Sequence, residues 1–116
     1  MSNPQKAKGS GAERDTVKWL KDNGYQYADR RLAGATLDKG DISGIPGVTI
    51  EVKNHDKMAL SGWIKELETE MANDGAWTGV VLHKKRGKSN PGEWYASMPG
   101  QVWLDLLTLA IGKKGL

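Results

Sequence analysis

One segment constrains this chain most, because residues 48–53 (VTIEVK) alternate apolar and polar side chains. On an extended strand, neighbouring side chains point to opposite faces of the sheet. The apolar residues can therefore enter a core, while Thr49, Glu51 and Lys53 share the other face. The pattern predicts a strand that brings a carboxylate and an ammonium group to one place.

Residues 45–47 (Ile-Pro-Gly) precede this strand and are typical of a three-residue hairpin loop, with glycine where positive φ is required. This loop predicts a register in which Ile42 pairs with Ile50 and Asp41 pairs with Glu51. Carboxylates with Cβ atoms roughly 5 Å apart repel each other unless a proton or cation lies between them. Mg²⁺ binds one or two carboxylates and keeps waters that phosphates can replace, so the hairpin indicates a cation site. The alternative is a surface hairpin with solvated polar side chains.

The remaining pattern predicts an α/β domain with the element order α-β-β-β-α-β-β-α. Helices are expected at residues 11–23, 61–73 and 101–111, and strands at residues 25–32, 78–84 and 93–98, besides the hairpin at residues 41–54 and a loop at residues 33–39. A chain of 116 residues is long enough for one modest core. We expect a flexible segment at residues 1–9 and a single domain at residues 10–116.

Composition narrows the class of protein. With 38% hydrophobic and 27% charged residues, the chain fits a soluble globular protein, and no apolar stretch approaches the length that crosses a bilayer. The sequence contains no cysteine, which excludes disulfides and thiolate metal sites, and its N-terminus lacks the apolar core of a signal peptide. We therefore expect a cytoplasmic protein with no membrane partner.

Four short motifs between residues 8 and 88 carry a family resemblance. They are KGSGAER at residues 8–14, RR at residues 30–31, KGDI at residues 39–42 and IEVK at residues 50–53. Together they resemble the PD-(D/E)xK nuclease superfamily, and most closely the small Holliday junction resolvases of archaeal and phage type. The resemblance implies a restriction-endonuclease-like core, in which helices flank a mixed central sheet. A phage-encoded member would act in the host cytoplasm.

The resemblance also implies a set of site residues. The family's helix glutamate and two hairpin carboxylates bind the metal, and its lysine is catalytic. These positions match Glu13, Asp41, Glu51 and Lys53, with the Val52 carbonyl as a further ligand. The metal implied is Mg²⁺, for which Mn²⁺ can substitute.

The chain departs from the family pattern at two places. Gly40 stands where the family has a proline before the first hairpin acid. The glutamine often found on the following helix is absent, which leaves Glu66 or Glu70 as substitutes.

Glu13 has two interpretations. Ser10 and Glu13 have the spacing of a capping box, in which the glutamate stabilises the start of a helix. Glu13 also continues the stripe of Val17 and Leu20 at i, i+4 and i+7, which should face the sheet. A carboxylate there needs a partner, and because the family resemblance implies a metal ligand at this position we favour a metal-site role, although the two roles can coexist.

The net charge is only +3, but the basic residues cluster. Clustered cations suit the phosphate backbone of DNA, where affinity comes largely from counterion release. The candidate DNA-binding residues are Arg14, Lys18, Arg30, Arg31, Lys39, Lys84, Lys85, Arg86 and Lys88. For the loop at residues 84–88, the alternative is a solvated turn.

These observations predict a Mg²⁺-dependent, structure-specific DNA endonuclease, with a Holliday junction resolvase of DNA recombination or repair as the first hypothesis. Paired nicks in a four-way junction call for a homodimer, and the apolar final helix either forms its interface or completes the monomer core. A second hypothesis is a replication-repair or flap-type nuclease with the same metal site. A third is a catalytically inert DNA-binding module of the same fold.

Overall fold

The computed structural model describes residues 4–32 and 37–112, which form a five-stranded mixed sheet flanked by three helices. The helices are α1 (Pro4–Asp22), α2 (Leu60–Asp74) and α3 (Gly100–Ile111), and the strands are β1 (Asp29–Arg30), β2 (Ile42–Ser43), β3 (Val48–Lys53), β4 (Thr78–His83) and β5 (Tyr95–Ser97). This order confirms the predicted α/β class. Parts of the predicted flexible N-terminus, of the loop at residues 33–39 and of the domain's C-terminal end lie outside the described residues.

The strands lie in sequence order across the sheet, from β1 to β5. Only β3 and β4 are parallel, and the other neighbours are antiparallel. Parallel neighbours need a crossover connection, which α2 provides between β3 and β4. Because β3 is central and joins the antiparallel hairpin to the parallel pair, its side chains contact elements from both halves of the chain.

The hairpin has the predicted register, since Ile42 pairs with Ile50. The Val48 N–H donates to the Ile45 carbonyl at 3.2 Å, and Gly47 has a φ of 82°. Pro46 before a glycine of positive φ is the pattern of a type II turn. A Cβ atom on Gly47 would also lie 2.7 Å from the Trp77 ring, so glycine is required by both backbone and packing.

The sheet is covered on both faces. Ile50 and Val52 pack in a core cluster with residues of α1, whereas Trp63 and Leu67 of α2 form a second cluster with Val81. An alternating strand suggests a polar face that is open to solvent, but the polar face of β3 is not. It is buried under α2, which places the polar side chains of β3 in an environment where they need partners.

The first helix begins earlier than predicted. It starts at Pro4, a residue suited to the first helical position, and runs through Ser10. The capping-box interpretation is therefore wrong, and the Ser10 hydroxyl instead accepts a hydrogen bond from Arg30 Nη2 at 3.2 Å. The helix ends at Asp22, one residue before the predicted end, and is followed by Gly24 with a φ of 99°; the Tyr25 N–H then donates to the Leu20 carbonyl at 3.0 Å.

Two strands begin later than predicted. The Ala28 N–H donates to the Tyr25 carbonyl at 3.1 Å, so the chain turns there and β1 begins only at Asp29. A 3₁₀ turn, Pro91–Glu93, delays the start of β5, and the Asn90 side chain caps it by accepting from the Gly92 N–H at 3.0 Å. Within the described ranges, none of the helices is both long enough and apolar enough to span a membrane.

Candidate metal centre

Asp41 and Glu51 lie side by side at the centre of the sheet. The Asp41 N–H donates to the Ile50 carbonyl at 2.9 Å, and Asp41 Oδ2 accepts from the Val52 N–H at 2.8 Å. The Glu51 side chain is buried, with 4% of the residue exposed. Burial and the neighbouring Asp41 carboxyl raise the pKa of Glu51 to about 11. The hairpin therefore brings the two acids together, as its turn predicts.

The backbone before Asp41 explains why position 40 is glycine and not the proline of the nucleases that the sequence resembles. Gly40 has a φ of 95°, which proline cannot adopt because its ring holds φ near −65°. A Cβ atom there would lie 2.9 Å from Thr49 Cγ2 and 3.0 Å from the Ile50 carbonyl oxygen. Glycine is thus the residue that allows Asp41 to reach the Glu51 side of this hairpin.

Helix α2 adds two more acids to the same place. One carboxylate oxygen each from Glu51, Glu66 and Glu70 lies within 4.8 Å of the others. Glu70 is only 2% exposed. Burial and the neighbouring Asp38 carboxyl raise the pKa of Glu70 to about 8. Among the described residues, no hydrogen-bond donor lies at either carboxylate oxygen of Glu70 or at Oε1 of Glu51 when these groups are ionised.

Lys53 is the cation at this cluster. Its Nζ donates to Glu66 Oε2 at 2.8 Å and lies 3.5 Å from Glu51 Oε2. Burial opposes the charged form of Lys53, but the hydrogen bond to Glu66 and the charge of Glu51 outweigh it and raise the pKa of the ammonium group. Partial burial raises the pKa of Glu66, but its hydrogen bonds to Lys53 and Glu51 and the charge of Lys53 together outweigh this effect and lower the pKa. Lys53 therefore stays charged beside the acids.

Glu13 lies outside this acidic cluster. Its side chain is only 20% exposed and accepts a hydrogen bond from Arg30 Nε at 3.0 Å. Burial outweighs the effect of Arg30 and raises the pKa of Glu13, and the charge of Asp41 adds to this. The stripe position of Glu13 did predict a partly buried carboxylate with a partner. The partner in the structure is an arginine, and the link to the site is the proximity of Asp41.

Several predicted basic residues share one groove. A groove of about 330 Å³ is lined by Arg14, Lys18, Lys21 and Arg30, together with Val17, Asp22 and Asp29. Lys18 also pairs with Asp22 at 2.6 Å. The Arg31 side chain lies outside this groove. It is partly buried, and its Nη2 lies 3.5 Å from Asp74 Oδ1. Lys39 is half-buried and precedes Gly40, next to the hairpin acids.

The basic loop at residues 84–88 starts beside the acidic cluster. The Lys84 N–H donates to the Lys53 carbonyl at 2.9 Å, and the Lys84 ammonium group lies 6.0 Å from the Trp94 ring centroid. Lys85 and Arg86 are exposed, and Lys88 lies 3.8 Å from Glu93. The structure therefore brings this loop close to Lys53, whereas the groove on α1 is a separate basic surface.

Glu70 is the residue that sequence analysis weighted too little. Trp63, Leu67 and Glu70 are buried at i, i+4 and i+7 of α2, which is the spacing that singled out Glu13 on α1. The position of Glu70 on the apolar stripe of α2 therefore indicates in the sequence that this acid is buried. Its significance depends on which strand the helix covers, and that follows from the tertiary packing.

Comparison with protein-family models, with curated proteins and with solved structures found no significant match for this chain. The function therefore has to be inferred from the chemistry of the site. That chemistry consists of clustered carboxylates with unpartnered oxygens, one charged lysine and nearby basic surfaces.

Proposed function

We propose that this protein is a metal-dependent DNA endonuclease of the PD-(D/E)xK type, with a restriction-endonuclease-like core. The observation that carries the proposal is the pairing of Asp41 and Glu51 on one hairpin, with Lys53 two residues further on the same strand face. An acid pair with an adjacent lysine is the arrangement that metal-assisted hydrolysis of a phosphodiester uses. The element order and the parallel crossover through α2 agree with such a core.

A divalent cation suits this pair better than a structural role does. Placing the buried Glu51 carboxylate next to the half-buried Asp41 carboxylate costs several kcal/mol unless a proton or cation compensates, and a core has no need of such a pair. The oxygen ligands are those preferred by Mg²⁺ and Mn²⁺. Among the described residues, the cluster contains no histidine ligand, and the chain has no cysteine, which argues against zinc.

The proposed roles follow from position. Asp41, Glu51 and the Val52 carbonyl would hold the ion, which supplies a more acidic water and polarises the phosphate oxygens. The hydrogen bond from the Val52 N–H orients the Asp41 carboxylate. Lys53 would orient the attacking water or stabilise negative charge that develops on the phosphate. Glu13 would act on the site through the electrostatic field at Asp41, since Arg30 already binds it.

DNA cleavage assays test this proposal. Purified protein is incubated with four-way junction, flap, linear duplex and single-stranded DNA of matched sequence, with Mg²⁺, with Mn²⁺ or with chelator. We expect cleavage with either metal and none with chelator. No cleavage of any of these DNAs in Mg²⁺ or Mn²⁺ would contradict the proposal and favour an inert DNA-binding module.

The basic loop is expected to contribute phosphate contacts. Replacing Lys84, Lys85, Arg86 and Lys88 with alanine should weaken binding to all DNA sequences alike and make the affinity less dependent on salt, because phosphate contacts carry no base information. Binding titrations at several salt concentrations measure both effects. Unchanged affinity and an unchanged salt slope would show that the loop is only a solvated turn.

The resolvase form of the proposal requires a homodimer, since symmetric nicking of a junction needs two centres related by a two-fold axis. We propose that a second copy covers α3. Its Trp103 and Leu109 are 56% and 67% exposed, and Leu106 lines an apolar groove of about 410 Å³ with Trp77 and Met98. A helix this apolar on its exposed side is typical of a buried interface.

Sedimentation of the wild-type protein should therefore show a dimer, and Leu109→Glu should shift it to a monomer. The wild-type protein should cut a four-way junction in preference to linear duplex. A strict monomer that cuts linear duplex equally well would favour the replication-repair or flap-type hypothesis.

A further inference from the structure

Two acids of α2 lie beside Glu51, and the pairing of Asp41 with Glu51 on the hairpin does not explain their position. Glu66 and Glu70 come from a helix that packs over the polar face of β3, and each has an oxygen within 4.8 Å of one from Glu51. A cluster of acids alone means little, because exposed acids often lie close together. Here the deciding residue is Glu70, which is 2% exposed.

A buried carboxylate normally has donors around it, and Glu70 lacks them. As an ionised group it has no hydrogen-bond donor at either oxygen among the described residues, and Glu51 Oε1 also lacks one. The Lys53 ammonium group donates to Glu66 and forms an ion pair with the other oxygen of Glu51, Oε2, at 3.5 Å. An unpaired buried carboxylate costs several kcal/mol, so these three free oxygens require a proton or a further cation.

The spacing of the oxygens fits a hard divalent ion. Mg²⁺ binds oxygens at about 2.1 Å, so two of its ligands lie at most about 4.2 Å apart, while for Ca²⁺ the limit is about 5 Å. The three oxygens lie within 4.8 Å of one another, which is inside the limit for an ion of the size of Ca²⁺. Small side-chain movements suffice for Mg²⁺ or Mn²⁺. Access is available as well, because Glu66 and Glu70 line an open groove of about 330 Å³ with Asp38 and Thr69.

We propose that Glu66 and Glu70 of α2, together with Glu51 of β3, bind a divalent cation and so form the helix side of the metal centre. This inference rests on the proposed function, because Glu51 is shared with Asp41. It adds that the helix after the hairpin supplies carboxylate ligands. It also gives α2 a role in assembling the centre, since metal binding would tie the helix to the central strand.

Titration calorimetry with Mn²⁺ in the absence of DNA tests the proposal. Wild type, Glu70→Gln and Glu66→Gln are compared with Glu68→Gln, which removes an exposed acid from the same helix. We expect at least about tenfold weaker Mn²⁺ binding in Glu70→Gln and Glu66→Gln, since even indirect support of a ligand is worth about 10- to 100-fold in affinity. Glu68→Gln should bind as wild type does. In thermal melts, Mn²⁺ should raise the melting temperature of wild type more than that of Glu70→Gln.

Wild-type Mn²⁺ affinity in Glu70→Gln would overturn the proposal and identify Glu70 as a protonated core residue. Melting in chelator shows whether this variant folds, and we expect it to melt at or above the wild-type temperature because glutamine avoids the cost of burying or protonating a carboxylate. If it does not fold, Glu66→Gln decides, since its side chain is 52% exposed. Wild-type affinity in that variant would then overturn the proposal.

The experiment separates this proposal from the proposed function. A wild-type protein that binds Mn²⁺ through Glu70 but cuts none of the DNAs would contradict the nuclease function and leave the cation site standing. A nuclease whose Glu70→Gln variant binds Mn²⁺ normally would contradict only the role of α2.

Discussion

Asp41→Asn is expected to lower the rate of DNA cleavage by at least about 1,000-fold, because loss of a charged metal ligand removes several kcal/mol of transition-state stabilisation. Asparagine has nearly the same shape and can still accept the hydrogen bond from the Val52 N–H, which is 2.8 Å from Asp41 Oδ2 in the structure. The fold should therefore be preserved. Single-turnover cleavage of end-labelled junction DNA in Mg²⁺ measures the effect.

The same variant should bind DNA about as well as wild type when metal is chelated, since removing an acid does not weaken contacts with phosphate. Glu51→Gln and Lys53→Ala should likewise lose cleavage and keep most DNA affinity. Glu68→Gln is the matched control, because it removes one negative charge from an exposed position of α2. Its cleavage rate should equal that of wild type. Full activity in Asp41→Asn would remove the nuclease assignment.

The second large effect is on stability as a function of pH in the absence of metal. Burial and neighbouring carboxyls raise the pKa of Glu70 to about 8 and that of Glu51 to about 11. Both values lie above the unfolded-state value of 4.5, so the folded protein binds more protons than the unfolded chain. The stabilisation from these protonated groups is complete below about pH 4.5. The contribution of each group should fall by on the order of 1 kcal/mol per pH unit, and that of Glu70 is lost as the pH rises through about 8.

Urea or thermal melts in chelator between pH 5 and pH 8 measure this loss. Other groups titrate as well, so the decisive quantity is the difference between wild type and Glu70→Gln, whose stability should depend less on pH. Glu68→Gln should keep the wild-type slope. Equal slopes in wild type and Glu70→Gln would show that Glu70 does not hold a proton in the folded state.

The features predicted correctly depend on local pattern. The register of Ile42 with Ile50 follows from a turn in which Pro46 and Gly47 set the backbone angles. The helix predicted at residues 61–73 follows from its apolar stripe, and the structure has it at Leu60–Asp74. Each prediction requires information from a short stretch of chain, so sequence suffices for it.

The predictions that were wrong or incomplete concern places where local sequence signals compete with contacts to distant residues. Ser10 has the residue type of a helix cap, but Pro4 starts the helix earlier and Arg30 uses the Ser10 hydroxyl. The segment before β1 has strand-like residues, yet a turn at Tyr25 forms instead.

The sequence by itself determined that Asp41, Glu51 and Lys53 share one face of a hairpin, because strand alternation and turn geometry leave little choice. Only the tertiary structure decided which other acids reach them. Glu13 and Glu70 each lie on the inward-facing stripe of a helix, but Glu13 meets Arg30 while Glu70 meets Glu51. The difference arises because each helix covers a different face of the sheet, and a helix stripe specifies burial without specifying the partner.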